Sequence, residues 1–163
     1  GKRHAEMVLR NTNCELTAIC DVLPKESLAL EPYDVPYYND YLKMLNTHQE
    51  IDVVCVCTPN GSHSDISISV LKHDKHVVIE KPIGLSVANC EKVIFNALQR
   101  NKHVFAVMQN RYSPPSEWLK EVIATKKLGE IFVVQVNCFW NRDDRYYKKG
   151  GWKGDYCYNN QKN

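Results

Sequence analysis

Three short apolar runs, separated by segments of helical periodicity, constrain the fold of this chain more than any other feature of its sequence. The runs occupy residues 52–57 (DVVCVC), 76–80 (HVVIE) and 103–108 (HVFAVM). Continuous β-branched runs of this kind are typical of strands buried on both faces of a parallel sheet. Strands that alternate with helices across short joins favour right-handed βαβ crossovers. We therefore expect an α/β fold in which these runs are adjacent strands of a doubly wound parallel sheet, with helices on both faces and residues 52–57 near the centre.

The remaining segments fit the same pattern and place a second domain after it. Helices are predicted at residues 2–11, 40–46 and 113–124 and from Ser62 and Ser86 onwards, and further strands at residues 15–21 and 130–140. The last of these strands alternates in its apolar residues, which is typical of a sheet with one covered side. We therefore predict a first domain at residues 1–112 and the beginning of a second, α+β domain at residues 113–163.

The composition argues against several classes of partner. The 163 residues carry a net charge of +2, which gives no electrostatic case for nucleic acid or for an anionic membrane. No apolar run approaches the roughly 20 residues of a membrane span, and the first residues do not have the order of a signal peptide, so a cytoplasmic protein is expected. Among the seven cysteines, Cys55 and Cys57 lie two residues apart, but there is no second pair at zinc-site spacing. No metal site is therefore predicted.

The segment Glu80-Lys81-Pro82 stands at the point where the second apolar strand must end. In an open parallel sheet the ligand crevice lies outside the carboxyl ends of the strands, so Lys81 would point towards a bound ligand. Pro82 disfavours helix at Lys81, and a cis Lys81–Pro82 peptide bond is one option. The alternative is that Glu80 and Lys81 are solvated loop charges.

Gly1 and Asp21 have the spacing of half a dinucleotide-binding motif. Gly1 precedes a helix and Asp21 ends the next strand, about 20 residues later, as do the last glycine and the acidic residue of that motif. In a complete domain the helix N-terminus would face a pyrophosphate. Asp21 would bind ribose hydroxyls and repel a 2′-phosphate, which predicts NAD rather than NADP. The alternative is a chance glycine and a surface aspartate.

Five motifs occur in order along the chain: GKRH at residues 1–4, ICD at 19–21, VVCVCTPNGSH at 53–63, VVIEKP at 77–82 and MQNRYSPP at 108–115. In order and separation they resemble the Gfo/Idh/MocA oxidoreductases, which include glucose-fructose oxidoreductase and inositol dehydrogenase. The resemblance implies a Rossmann-like NAD-binding domain whose first strand is missing here, in a chain that is incomplete at both ends. Residues 142–154 further resemble the members that oxidise nucleotide-linked sugars such as UDP-N-acetyl-glucosaminuronate.

The resemblance also implies roles for individual residues. Lys81 is expected to be catalytic, since a lysine beside the nicotinamide and the reacting hydroxyl would stabilise a developing alkoxide. Cofactor contacts are implied for Gly1, His4, Asp21, Thr58, Pro59, Asn60, His63, Glu80, Lys81 and Asn110. Substrate contacts are implied for Arg111, Arg142, Tyr146, Tyr147 and Trp152. The loop from Thr58 to His63 would form a turn and helix cap with or without a cofactor.

Three classes of function follow. The first is an NAD-dependent oxidoreductase, or a piece of one, that transfers a hydride between NAD and a sugar or sugar-nucleotide hydroxyl, and whose full-length form is a homo-oligomer. The second is a non-catalytic dinucleotide or sugar-nucleotide binding protein that has lost its catalytic segment. The third is a structural domain with an exposed sheet edge. Because residues 156–163 do not continue the family pattern, this chain alone is expected to be inactive.

Overall fold

A computed structural model describes residues 1–147, which belong to two compact units, residues 1–106 and residues 107–163. The first unit contains α1 (Lys2–Arg10), β1 (Ile19–Cys20), β2 (Tyr37–Tyr38), α2 (Tyr41–Thr47), β3 (Val53–Val56), α3 (His63–Lys72), β4 (His76–Ile79), α4 (Val87–Gln99) and β5 (Val104–Ala106). The described part of the second unit contains α5 (Pro114–Ala124). Short 3-10 turns occupy Lys25–Ser27, Asn60–Ser62 and Gln109–Tyr112. Strands and helices therefore alternate as the sequence predicts.

The three apolar runs form one parallel sheet with the order β3–β4–β5. The register pairs Cys55 with Val78, and Val78 with Phe105. This confirms the predicted α/β fold with adjacent parallel strands. The prediction that residues 52–57 lie near the centre is wrong for the described residues, because β4 is the middle strand and β3 lies at an edge. Apolar continuity indicates burial, but it does not give the strand order, which depends on the path of the crossovers.

One face of this sheet is buried and the other is partly open. Val56, Val77 and Ile79 lie on the buried face, where each is at most 2% exposed. They share one core with residues from three helices, namely Met44 and Leu45 of α2, Val70 and Leu71 of α3, and Val93 and Ala97 of α4. On the other face Val53 is 47% exposed and Phe105 is 55% exposed. The predicted burial of both faces is therefore found for one face only within residues 1–147.

A second sheet, which the sequence did not predict as a separate unit, consists of the short parallel strands β1 and β2. The predicted strand at residues 15–21 is reduced to Ile19–Cys20, and its partner Tyr37–Tyr38 follows directly on the segment expected to be a connection. Two-residue strands are too short to show a period-two pattern. Cys20 and Tyr38 pack against the core of the larger sheet, whereas Ile19 and Tyr37 pack against a second cluster formed by Ala5, Leu30 and Tyr33.

Two helices, α2 and α4, begin where the sequence predicts them, and a side chain caps each start. The side chain of Asp40 accepts a hydrogen bond from a first-turn N–H of α2, and that of Ser86 does the same for α4. Ser62 does not cap α3. Its hydroxyl lies 2.8 Å from the Thr58 hydroxyl and 2.8 Å from the Pro59 carbonyl oxygen, and the helix begins at His63 after a 3-10 turn. The Ser62 side chain therefore stabilises the loop that precedes α3.

The second unit contains α5, which begins with two prolines as predicted and buries Val122. The strand predicted at residues 130–140 is not found, because this segment has no regular secondary structure. Phe132 is 86% exposed and Val136 is 82% exposed. A strand is defined by hydrogen bonds to a partner, and the described residues do not supply one. The predicted domain boundary at residues 112 and 113 stays a prediction.

Candidate functional site

The candidate site lies at the carboxyl ends of β3 and β4, where two loops leave neighbouring strands. The Glu80 N–H donates to the Val56 carbonyl oxygen at 3.0 Å, so the ladder between the two strands extends one residue beyond β4. After this last ladder bond the two strands continue into neighbouring loops, one through Thr58-Pro59 and the other through Lys81-Pro82. Parallel pairing therefore brings two of the predicted motifs to one edge of the sheet, as expected for an α/β ligand site.

His63 joins these two loops. Its imidazole is 1% exposed, with Nδ1 2.7 Å from the Pro82 carbonyl oxygen and Nε2 2.7 Å from the Thr58 carbonyl oxygen. The sequence singled out His63 as a cofactor contact, yet both of its ring nitrogens face carbonyl groups of the protein. The contact with Pro82 spans 19 residues, and no local sequence signal could have indicated it.

Glu80 is held by His4, which lies on the first turn of α1. His4 Nε2 lies 2.8 Å from Glu80 Oε1, and the other carboxylate oxygen accepts the Lys81 N–H at 3.3 Å. Partial burial opposes ionisation of Glu80, but the hydrogen bond and charge of His4, with the N–H and ammonium of Lys81, outweigh it and lower the pKa of Glu80. Glu80 is therefore an ionised carboxylate that links α1, through His4, to the end of β4.

Lys81 is exposed at the end of β4, and its peptide bond to Pro82 is cis. The exposed ammonium stands beside a carboxylate and next to a loop that a buried ring fixes. An exposed lysine on a fixed backbone can place a positive charge at a repeatable position near a bound ligand.

The start of α1 lies at the same edge of the sheet. Burial raises the pKa of the Cys57 thiol, which directly follows β3. Gly1 is exposed, and the first turn of α1 carries no acidic residue. The free N–H groups of a first helical turn, together with the helix dipole, suit an anionic group such as a pyrophosphate.

Asp21 follows β1, where its carboxylate accepts the Leu23 N–H at 3.0 Å. This bond closes a local turn and leaves the second carboxylate oxygen for other partners. The residues of the first unit therefore fit an NAD molecule in two respects: the helix N-terminus matches a pyrophosphate, and the acid at the strand end matches ribose hydroxyls.

The other predicted site residues belong to the second unit. Asn110 and Arg111 are exposed in the 3-10 turn Gln109–Tyr112. The guanidinium of Arg142 lies 4.8 Å from the ring centroid of Trp140 and 4.8 Å from that of Tyr146. A hydrogen bond with Tyr147 raises the pKa of Arg142. Trp152 lies outside the described residues.

These features define a class of protein, a dinucleotide-binding α/β domain with a lysine at a strand end. The family model described as "Oxidoreductase family, NAD-binding Rossmann fold", that of Gfo/Idh/MocA, matches residues 1–108. The chain belongs to this family of oxidoreductases, and its fold is that of the NAD-binding Rossmann domain.

Solved structures and curated proteins of the same family resemble the chain. The WlbA dehydrogenase of Chromobacterium violaceum, solved in complex with NADH and UDP-GlcNAcA, is 30% identical with a TM-score of 0.86, over 94% of this chain and 45% of that one. The WlbA dehydrogenase of Bordetella pertussis, in complex with the same two ligands, is 28% identical with a TM-score of 0.86, over 94% and 47% of the two chains. An inositol 2-dehydrogenase of Salmonella paratyphi B is 28% identical over 74% of this chain and 37% of its own length. The chain therefore spans less than half the length of these relatives.

Two expected absences can be compared with residues 1–147. In that range no helix is both long and apolar enough to cross a bilayer. The same residues contain no group of three or more histidine, cysteine or acidic side chains placed to hold a metal ion. The sequence expectations that the chain binds no membrane, nucleic acid or metal stay predictions.

Proposed function

We propose that this chain is the cofactor-binding portion of an NAD-dependent dehydrogenase that oxidises a secondary hydroxyl of a sugar or sugar nucleotide. The observation that carries the proposal is the position of Lys81, exposed at the carboxyl end of β4 and adjacent to a Glu80 carboxylate that His4 holds. Solved relatives that bind NADH and UDP-GlcNAcA, and curated inositol dehydrogenases, support the substrate class.

The first unit supplies the cofactor contacts in this proposal. The N-terminus of α1 at Gly1 faces the pyrophosphate, and Asp21 accepts hydrogen bonds from the adenosine ribose. A 2′-phosphate would meet the negative charge of Asp21, so NAD(H) is preferred over NADP(H). The loop from Thr58 to Asn60 lines the same edge and contributes backbone and hydroxyl groups. Glu80 accepts a hydrogen bond from the second ribose.

Lys81 carries the chemistry that this chain contributes. Bound NAD would supply the hydride acceptor for the carbinol carbon. Lys81 donates a hydrogen bond to the hydroxyl oxygen and stabilises the negative charge that develops there as a general base takes up the hydroxyl proton. Asn110 and Arg111, with Arg142, Tyr146, Tyr147 and Trp152, are proposed to orient the substrate. The two aromatic contacts of Arg142 support this, since a guanidinium and flat rings together suit a sugar or a base.

Two coarser proposals complete the picture of the whole protein. We propose a cytoplasmic location and a homo-oligomeric state for a form as long as its relatives. Cell fractionation and sedimentation of that form test them.

The decisive experiment replaces Lys81 in a version of the chain extended to the length of its relatives. Lys81→Ala should lower the rate of hydride transfer about 100-fold or more, because it removes a charge aimed at the transition state. The affinity for NADH should change much less, because the pyrophosphate and adenosine contacts lie elsewhere. Stopped-flow absorbance at saturating sugar substrate measures the first, and NADH fluorescence the second.

Lys72→Ala is the matched control, since Lys72 is exposed at the far end of α3. It should leave both quantities unchanged. Normal hydride transfer by the Lys81 variant would contradict the catalytic role. Failure of the extended version without substitutions to bind NADH would contradict the cofactor assignment itself.

A further inference from the structure

The His63 ring touches two loops and no solvent, which makes it unsuited to bind a ligand and suited to hold the loops. It is 1% exposed, and its two nitrogens lie 2.7 Å from the carbonyl oxygens of Thr58 and Pro82. No ring nitrogen is left to contact a cofactor directly. The side chain that the sequence marks as a cofactor contact therefore has another task.

We propose that His63 is a positioning residue for the reaction, a two-sided clasp that fixes the Lys81-Pro82 backbone against the Thr58 loop. The inference rests on the proposed function, since the position of Lys81 matters only if Lys81 acts on a substrate. Pro82 is the residue after Lys81, so a bond to the Pro82 carbonyl restrains the backbone one residue beyond the Lys81 side chain. The bond to Thr58 ties that backbone to the neighbouring strand end.

Both partners of the ring are backbone carbonyl oxygens, which only accept hydrogen bonds, so the ring is the donor in the bond that it makes. The 2.7 Å distances place each carbonyl oxygen within hydrogen-bond reach of one ring nitrogen. A displacement of either loop therefore loses a contact with the buried ring.

The site itself shows why a second anchor is needed. Lys81 is exposed, and its N–H donates a hydrogen bond to the carboxylate of Glu80 at 3.3 Å, which is long for such a bond. β4 ends at Ile79 and its ladder ends at Glu80, so the backbone from Lys81 onwards has left the sheet. A misplacement of about 1 Å is enough to reduce a rate about 100-fold in general. The bond from His63 to Pro82 supplies a restraint immediately after the last ladder bond.

The first test needs no cofactor and uses the chain as it is. In ¹⁵N-histidine spectra, His63 should show a slowly exchanging ring N–H proton, because the buried ring donates it to a carbonyl oxygen. His63→Gln should increase amide exchange of Lys81, Ile83 and Gly84 about 10-fold or more, because a side-chain amide has donors at one end only. His73→Gln is the matched control, since His73 follows the same helix and bonds only the Ser69 carbonyl one turn before it. Rapid exchange of the His63 ring proton, or unchanged amide exchange in the Gln variant, would overturn the clasp.

The second test links the clasp to Lys81 in the version extended to the relatives' length. His63→Gln should slow hydride transfer about 10-fold with less than about a twofold change in NADH affinity, and it should have little further effect when Lys81 is already alanine. A purely structural role predicts the same relative loss with and without Lys81, and that result would refute positioning. If no variant transfers hydride, the proposed function fails while the spectra and exchange rates still decide the clasp.

Discussion

At the scale of single residues, the environment of Glu80 determines its charge and its contribution to stability. Its carboxylate is partly buried, which opposes ionisation, but His4 and the N–H of Lys81 favour the anion more strongly and the pKa of Glu80 is lowered. A lowered pKa in the folded state means that the anion stabilises the fold above the unfolded pKa of about 4.3. This stabilisation is lost as the pH falls through the folded pKa.

A substitution at Glu80 should therefore have a pH-dependent cost. Glu80→Gln should lower the free energy of unfolding by about 0.5–1 kcal/mol at pH 7, as for a partly exposed ion pair, and the difference from the unmodified chain should vanish once the pH is below the lowered pKa of Glu80. Urea titrations at several pH values measure it. Glu91→Gln, at an exposed position of α4, is the control and should cost little at any pH. A loss of unfolding free energy that does not change with pH would show that Glu80 stabilises the fold through packing and not through its charge.

Asp21 is expected to set the choice between the two nicotinamide cofactors. Asp21→Asn removes the negative charge but keeps an oxygen that can accept the Leu23 N–H, so the local turn should survive. The ratio of NADPH to NADH affinity should rise about 10-fold, because repulsion of the 2′-phosphate is gone. Fluorescence titration with each reduced cofactor measures the ratio. Tighter binding of NADPH than of NADH by the unmodified chain would place Asp21 away from the ribose.

At the scale of elements, neighbouring strands of the sheet should tolerate the same substitution very differently. Val77→Ala removes methyl groups from a side chain with no exposed surface and should cost about 2 kcal/mol of unfolding free energy. Val53→Ala, on the open face of β3, is 47% exposed and should cost under about 0.5 kcal/mol. Equal costs in chemical denaturation would mean that the face carrying Val53 is covered in solution.

The elements also show what the sequence could and could not reveal. Strands β3, β4 and β5 were predictable because three to five β-branched or apolar residues in a row leave few other structures. The start of α4 at Ser86 was predictable because a helix cap is a local contact. Strand order and the one-sided burial were not, since they depend on contacts between distant parts of the chain. The segment of residues 130–140 has a strand-like pattern, but a pattern does not provide a hydrogen-bonding partner.

The candidate site divides in the same way. Lys81, Glu80 and Asp21 could be proposed because each directly follows an apolar strand, and strand ends carry the ligands of parallel sheets. Their partners could not. His4 reaches Glu80 across 76 residues, and His63 reaches Pro82 across 19. Contacts of this kind depend on tertiary packing, so the sequence supplied the candidates and the fold supplied their roles.

At the scale of the whole molecule, the first unit should fold without the second. Both hydrophobic clusters of buried residues lie within residues 1–106, so a fragment of residues 1–112 should retain a cooperative thermal transition. Circular dichroism measures it. A fragment ending at residue 95 is the control, because it removes Ala97 and β5, and it should unfold without a sharp transition. A non-cooperative 1–112 fragment would contradict the predicted domain boundary.

The first unit has two hydrogen-bonded ladders, β1–β2 and β3–β4–β5, which share side-chain packing and are separate sheets within residues 1–147. Asp21 stands at the end of the smaller sheet and Lys81 at the end of the larger. Side-chain packing alone resists shear less stiffly than a continuous ladder, so we expect small movements of one sheet end relative to the other. An extended cofactor that contacts Asp21 at one end and Lys81 at the other would connect the two sheets, and its binding would reduce these movements.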